Sequence, residues 1–540
     1  MVDSSFDLVF EHATLVDGTG AAARSADVAV RGTSIAAVAG ELPEKLKAAA
    51  RKRLDLRGLV LCPGFIDVHA HGELEPLADN SAAGKVLSGV TTEICGNCGL
   101  SPFPLFGGLR ERFVREARDE FGWGTERLNW AGAAEYFDRL KEVGCAINRG
   151  FLVGHNSLRA AIRGYGDGAV SEGARAAMIR ELEAALAAGC LGLSTGLVYP
   201  PGCYAATEEL IELARVCARH GALYATHMRS ESDRLEQAVL ETLRVAREGG
   251  VPVQISHLKT AHPQNWRKID FLEETLLAAR REGLNVHADR YPYTASSTGL
   301  DAALPRWAYA GGTAEEMKRL ADPQTCARME GEVQAQHPEQ DYWARVKVAA
   351  AAEPELQQEI AGRSLADLAG RWRVSPFEAL RSILIRDRCR TTAIFFIMSE
   401  ENLEKILSWD FVMIGSDATA RNVAGPTRLP YPHPRTFGAF PRVLSRYVRE
   451  KKLLALEEAV RRMTSLPAHT FRLRGRGRMA PGAHADLVVL DAARVQDEAT
   501  FDEPNRFPTG IEQVYVNGTQ VVESGKVLAA RPGEILRPTD

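Results

Sequence analysis

No stretch of this chain offers the ~18 consecutive uncharged apolar residues of a membrane helix, so a helical membrane anchor is not expected. Neither sign of charge is in excess: 66 Lys plus Arg face 70 Asp plus Glu, a formal charge of -4. That balance argues against a nucleic-acid-binding surface and against an acidic tail. The nearest thing to a basic cluster, Arg472, Arg474, Arg476 and Arg478, reads as a solvated strand edge or linker. A secretory signal is missing where one would start, because Asp3, Asp7 and Glu11 interrupt the basic start and apolar core it needs. The nine cysteines are odd in number and scattered, which suits reduced thiols better than a disulfide framework. The expectation is a soluble cytoplasmic protein in which any special cysteine is a ligand or a nucleophile.

What is present is organised from both ends inward. At 540 residues the chain exceeds one ordinary core, and two domains are expected. Short strands with glycine turns fill residues 7–40, and Ala485 to Asp491 and Val514 to Gly518 have the same texture. These predict a small β-sandwich built from residues 1–62 and 477–540. Between them, apolar runs alternate with Ala-, Leu-, Glu- and Arg-rich helical patterns, the signature of parallel βαβ units. An α/β fold follows: a (β/α)8 TIM-type barrel over residues 63–476, with a lid-like insertion at about 295–363 near its mouth. Nine runs compete for eight strand positions, and either Leu284 to Ala288 or Ala393 to Ile397 is the seventh.

The chemistry-bearing residues recur at the C-terminal ends of these runs, the face on which barrel active sites are built. The first run ends in His69-Ala70-His71, whose imidazoles project to one side at a period of two. The second leads into Gly96-Asn97-Cys98-Gly99, the fifth ends in His227, the sixth in His257 with Lys259 beyond, and the last in Ser416-Asp417. A single strand-end histidine is ordinarily structural. Four of them, with a cysteine and an aspartate at matching positions, form a metal-type donor set. Cys95-x-x-Cys98 has no second such pair and opens no helix, so Cys98 is taken as a ligand and Cys95 as a buried packing residue.

With those residues placed, the chain resembles the amidohydrolase superfamily, and within it the N-acyl-D-amino-acid deacylases (D-aminoacylases). The motifs are Pro63 to His71, Gly96-Asn97-Cys98-Gly99, Ser194 to Leu197 with Tyr199-Pro200-Pro201, Thr226-His227, Ser256-His257-Leu258-Lys259, Ile414 to Asp417, and His433-Pro434-Arg435. Many two-metal relatives carry a bridging lysine at the end of strand four. This chain has none in Cys190 to Gly196, and the deacylase branch uses the cysteine of its Gly-Asn-Cys motif instead. The resemblance implies a tight zinc site at Cys98, His227 and His257, and a second, weaker or optional site at His69 and His71. It also implies that Lys259, Arg435, Tyr199 and Tyr293 hold the substrate's α-carboxylate or scissile carbonyl.

On that reading Asp417 is the general base and acid for a metal-activated water, and the substrate is a small N-acyl-D-amino acid. The preference for the D form comes from the resemblance alone. A cyclic-amide hydrolase of the hydantoinase or dihydroorotase kind is the alternative, and a non-catalytic barrel scaffold a more distant one. Leu300, Leu304, Pro305 and Trp307 in the insertion point to apolar D-residues, whereas Arg306 turned inward would select acidic ones. Whether the chain forms a homo-oligomer is left open by its residues.

Overall fold

In the computed structural model, which describes residues 6–538, eight short strands buried along their length pair in parallel. They are Phe65–Asp67, Val90–Cys95, Asn148–Gly154, Gly192–Gly196, Leu223–His227, Val253–Ile255, Val286–Arg290 and Val412–Ile414, each beside the next. Asp3 of the acidic start lies outside the described residues. Helices cover the outer face of these strands, which is why the strands read as continuous apolar runs rather than alternating ones. Inside the barrel, Ile66, Val68, Ile94, Leu152, Leu191, Leu223 and Met413 pack with Phe471, Leu473 and Leu536. The last three close the end opposite the polar mouth, with the C-terminal segment bridged to Cys145 and Arg149.

The first and eighth strands share no ladder, and the barrel closes there by other means. Ala70 bridges to Ala418, and the Asp417 N–H donates to the His69 carbonyl at 2.8 Å. Beneath them the buried Lys85 ammonium donates to Asp67 Oδ2 at 2.5 Å, to Ser416 Oγ at 2.8 Å and to the Ala418 carbonyl at 3.0 Å. The other Asp67 oxygen accepts the Ser416 and His69 N–H groups at 2.9 and 3.2 Å. One ion pair thus aligns two strand ends that both carry site residues.

The seventh position is filled by Val286–Arg290. Thr392–Phe395 is instead the middle strand of an antiparallel three-stranded sheet with Ser296–Gly299 and Val346–Ala350. Its composition suits either setting, since both bury it, and only its hydrogen-bond partners tell them apart. All three strands lie between the seventh and eighth barrel strands, so the inserted segment runs on well past residue 363.

Strands from the two ends of the chain form one nine-stranded sheet. The first strand of the sheet, Leu8–Leu15, is broken by a bulge between Phe10 and Ala13 where His12 takes φ +58°. The sheet curls onto itself, bringing the Phe10 and Tyr515 rings edge to face at 5.3 Å. Val60–Pro63 is one of its strands, and Gly64 passes the chain directly into the barrel; a Cβ there would overlap the Thr91 side chain. Arg476 is not the solvated linker residue expected from the sequence: it is buried, paired with Asp486 and bonded to Asn517 Oδ1 at 3.0 Å. Among the described residues no helix is long and apolar enough to cross a membrane.

Removing one member of a buried ion pair strands the other without solvent. Lys85→Met should therefore cost about 3–5 kcal/mol, read as a lower midpoint in chemical denaturation, and adding Asp67→Asn should recover part of the loss. An unchanged midpoint in Lys85→Met would show that the seam is held elsewhere.

Candidate metal centre

The turn Gly96-Asn97-Cys98-Gly99 sends the chain back over the barrel mouth. Gly96 and Gly99 take φ +80° and +78°, and a Cβ on Gly96 would strike the Leu152 carbonyl. Asn97 Nδ2 donates to the Ile94 carbonyl at 2.9 Å and pins the turn. Cys98 itself takes φ +52°, a conformation that only a surrounding structure can enforce on a residue with a Cβ. Its sulfur reaches the barrel axis, 3.3 Å from His69 Nε2 and 3.4 Å from His257 Nε2. His257 and Asp417 are left-handed as well, at +35° and +50°.

Two overlapping donor groups result: Cys98 with His227 and His257, and Cys98 with His69, His71 and Asp417. Within each, one donor atom from every residue lies within 4.8 Å of the others. Cys98 is common to both. Cys95 belongs to neither; it is buried, its sulfur 3.5 Å from Glu93 Oε1.

The electrostatics of the centre fit a divalent cation. Burial alone would push the Cys98 thiol up, but the fields of His69 and His257 and hydrogen bonds from His227 and His257 hold it well below its ordinary value. Asp417 behaves alike: burial opposes its charge, and Arg435, His69 and His257 outweigh that. In return, Cys98 and Asp417 push His71 up to about 10 against its desolvation. His69 is pushed up too, the fields of Asp289 and Cys98 outweighing its desolvation, whereas burial lowers His227. With two donor groups of nitrogen, sulfur and carboxylate oxygen, the residues suit a zinc-type ion.

Two of the four imidazoles, those of His69 and His257, are steered by a second carboxylate. Asp289, on the seventh strand, accepts from His69 Nδ1 at 3.1 Å and from the His257 backbone N–H at 2.9 Å, both on Oδ1. Gln254 Nε2 holds its other oxygen at 2.6 Å. Glu231 lies 2.8 Å from His257 Nδ1 and 2.5 Å from Lys259 Nζ. Neither acid stands out in the sequence. The one signal available is position, since Asp289 ends a barrel strand and Glu231 follows His227 by four residues.

Lys259 and Arg435 both reach the centre. Arg435 Nη1 is 2.8 Å from Asp417 Oδ2. His433 clasps that arginine's backbone: its Nδ1 accepts the Arg435 N–H at 3.0 Å while Nε2 donates to the Ala295 carbonyl at 3.0 Å. The Tyr199 ring stands edge-on to His227 at 5.1 Å, and its hydroxyl meets Thr298 Oγ1 of the inserted sheet at 3.2 Å.

Tyr293 does not reach the centre. Its ring packs on His433 and under the Arg442 guanidinium, and its hydroxyl lies against Gly438 near Asp497. Tyr291 occupies the expected place instead. It is fully buried, flanked by Lys259, Arg290 and Arg435, with its hydroxyl unpaired. Of the insertion residues, Leu300 and Leu304 are core residues. Arg306 and Trp307 line an open cleft with Asp233 and Pro263, and the exposed Arg306 donates to the Arg229 carbonyl.

The amidohydrolase family's sequence profile matches residues 52–370 and 410–522. An N-acyl-D-glutamate deacylase of Alcaligenes xylosoxydans xylosoxydans is 38% identical over 99% of this chain and 97% of its own length. A D-aminoacylase of the same organism is 37% identical over 99% and 98%. Among solved structures, N-acyl-D-glutamate deacylase from Bordetella bronchiseptica, complexed with zinc and a phosphonate mimic of the tetrahedral intermediate, superposes with a TM-score of 0.82. It is 36% identical and the match covers 99% of this chain and all of that one.

Because Cys98 serves both donor groups, Cys98→Ala should strip metal from each, while His69→Ala/His71→Ala should keep the ion at Cys98, His227 and His257. Metal analysis after gel filtration checks this; Cys98→Ala protein with its metal intact would exclude a ligand role.

Proposed function

Because the chain belongs to the amidohydrolase family, in its N-acyl-D-amino-acid deacylase branch, we propose that it hydrolyses the amide bond of N-acyl-D-amino acids, releasing a carboxylate and a free D-amino acid. The observation that carries this reading is the placement of Asp417, which joins the donor group of His69, His71 and Cys98 and meets Arg435 through its other oxygen. Cys98, His227 and His257 would hold a tight zinc ion, and His69 and His71 would line a second, weaker position. A zinc ion so bound supplies a water acidified to a pKa near ~7 and a Lewis acid for the acyl oxygen.

The protein's own groups do the rest. Lys259 and Arg435 receive the substrate's α-carboxylate, the guanidinium offering a two-pronged fit. Engaging that carboxylate draws Arg435 off Asp417, which lets the carboxyl rise toward the range where it can take a proton and return it. Asp417 then accepts the proton of the attacking water and delivers it to the leaving nitrogen. The unpaired Tyr291 hydroxyl is placed to donate to the substrate, in the role that sequence similarity had given to Tyr293. Apolar D-residues are the favoured substrates, since Arg306, which turned inward would select acidic ones, is exposed and committed to a backbone carbonyl.

Asp417→Asn should retain fold and zinc yet lose turnover by about 10²- to 10⁴-fold, as measured with N-acetyl-D-leucine; near-native kcat would exclude Asp417 as the base. Assayed on both enantiomers of N-acetyl-methionine, -leucine, -tryptophan and -glutamate and on hydantoins, the enzyme should turn over the D-N-acetyl compounds. Preferential cleavage of hydantoins would favour the cyclic-amide alternative.

A further inference from the structure

Glu231 sits on the loop after the fifth barrel strand, with its side chain about 85% buried, at 15% exposure. Three cationic or proton-bearing groups converge on it. Oε1 is 2.8 Å from His257 Nδ1 and 2.5 Å from Lys259 Nζ, and Oε2 is 3.5 Å from His227 Nε2. The remaining side of the triangle is the informative one: Lys259 Nζ lies only 2.7 Å from His257 Nδ1.

An ammonium group has three donors and no acceptor. Left alone with the imidazole, Lys259 would donate to Nδ1, and a neutral ring would then carry its proton on Nε2. That nitrogen faces the Cys98 sulfur at 3.4 Å, the side on which the donor group would hold an ion. A proton there blocks coordination. Glu231 Oε1 offers both donors one shared acceptor, so the Nδ1–H can point at the carboxylate and Nε2 keeps its lone pair for the metal. The second group has a comparable arrangement, because Asp289 takes the His69 Nδ1–H at 3.1 Å.

We propose that Glu231 is a positioning residue that sets the metal-binding tautomer of His257 against the competing donor Lys259. The role rests on the donor group of Cys98, His227 and His257, and its test uses no substrate, so failure of the deacylase reading would leave it standing. Zinc affinity of the metal-stripped full-length protein, measured by competition with a chromogenic chelator, should fall about 10- to 100-fold in Glu231→Ala. Adding Lys259→Met should restore most of it, because nothing then drives the proton onto Nε2. Glu231→Gln, which keeps the volume, should fall in the same direction and replaces the alanine variant if that one does not fold. Unchanged affinity in both single variants would overturn the proposal. So would a loss that Lys259→Met leaves unrepaired, which would mark Glu231 as a packing residue. A native protein that binds no zinc would refute the metal reading itself.

Discussion

A buried cysteine among imidazoles is the interaction on which this barrel mouth depends. Burying Cys98 opposes its ionisation, and the histidines that stabilise the charge come from the first, fifth and sixth strands, none adjacent to it in sequence. The barrel geometry is what makes that convergence routine, since parallel strands deliver their C-terminal ends to one rim. Convergence has a conformational cost all the same. Cys98, His257 and Asp417 are each held at positive φ without being glycine, at roughly 1–3 kcal/mol apiece. Backbone hydrogen bonds offset it: Asp289 accepts the His257 N–H, and the His69 carbonyl accepts that of Asp417.

Around the donor atoms stands a ring of carboxylates whose partners are all buried and specific. Asp289 orients His69, Glu231 orients His257, and Asp67 with Lys85 fixes the seam beside His69 and Asp417. Buried charges left unmatched are expensive, so each pair also acts as a geometric constraint, tolerating little displacement before a partner is lost. The same rule holds where the terminal sheet meets the barrel: Arg476 pairs with Asp486, and Asp486 and Asn517 bond to Asn148 of the third strand.

What the sequence made legible follows from periodicity and from strand ends. His69, His71, His227, His257 and Asp417 stand at or just beyond the ends of runs, and Cys98 in the turn that follows one, so a barrel brings them to one rim. What stayed hidden depends on loops and long-range pairing. Glu231 lies in a loop with no periodic signal. Tyr291 and Tyr293 have the same parity around Pro292, and only the direction of the chain leaving the seventh strand separates the one beside Lys259 from the one under Arg442. Thr392–Phe395 has the composition of a barrel strand, and only its antiparallel partners reveal otherwise.

Asp417 has two allegiances, and their separation by atom gives it more than one use. Oδ1 faces His71 at 3.1 Å and His69 at 3.5 Å, within the second donor group, while Oδ2 meets Arg435. A carboxylate drawn fully toward a metal at His69 and His71 would be a poor proton acceptor, and one locked to Arg435 would be too weak a base. In the proposed reaction a substrate carboxylate competes for Arg435 and relaxes one of these ties. A metal held by Cys98, His227 and His257 would leave the other free. In that arrangement the histidine pair on the first strand would control the base, and Cys98, His227 and His257 would anchor the ion.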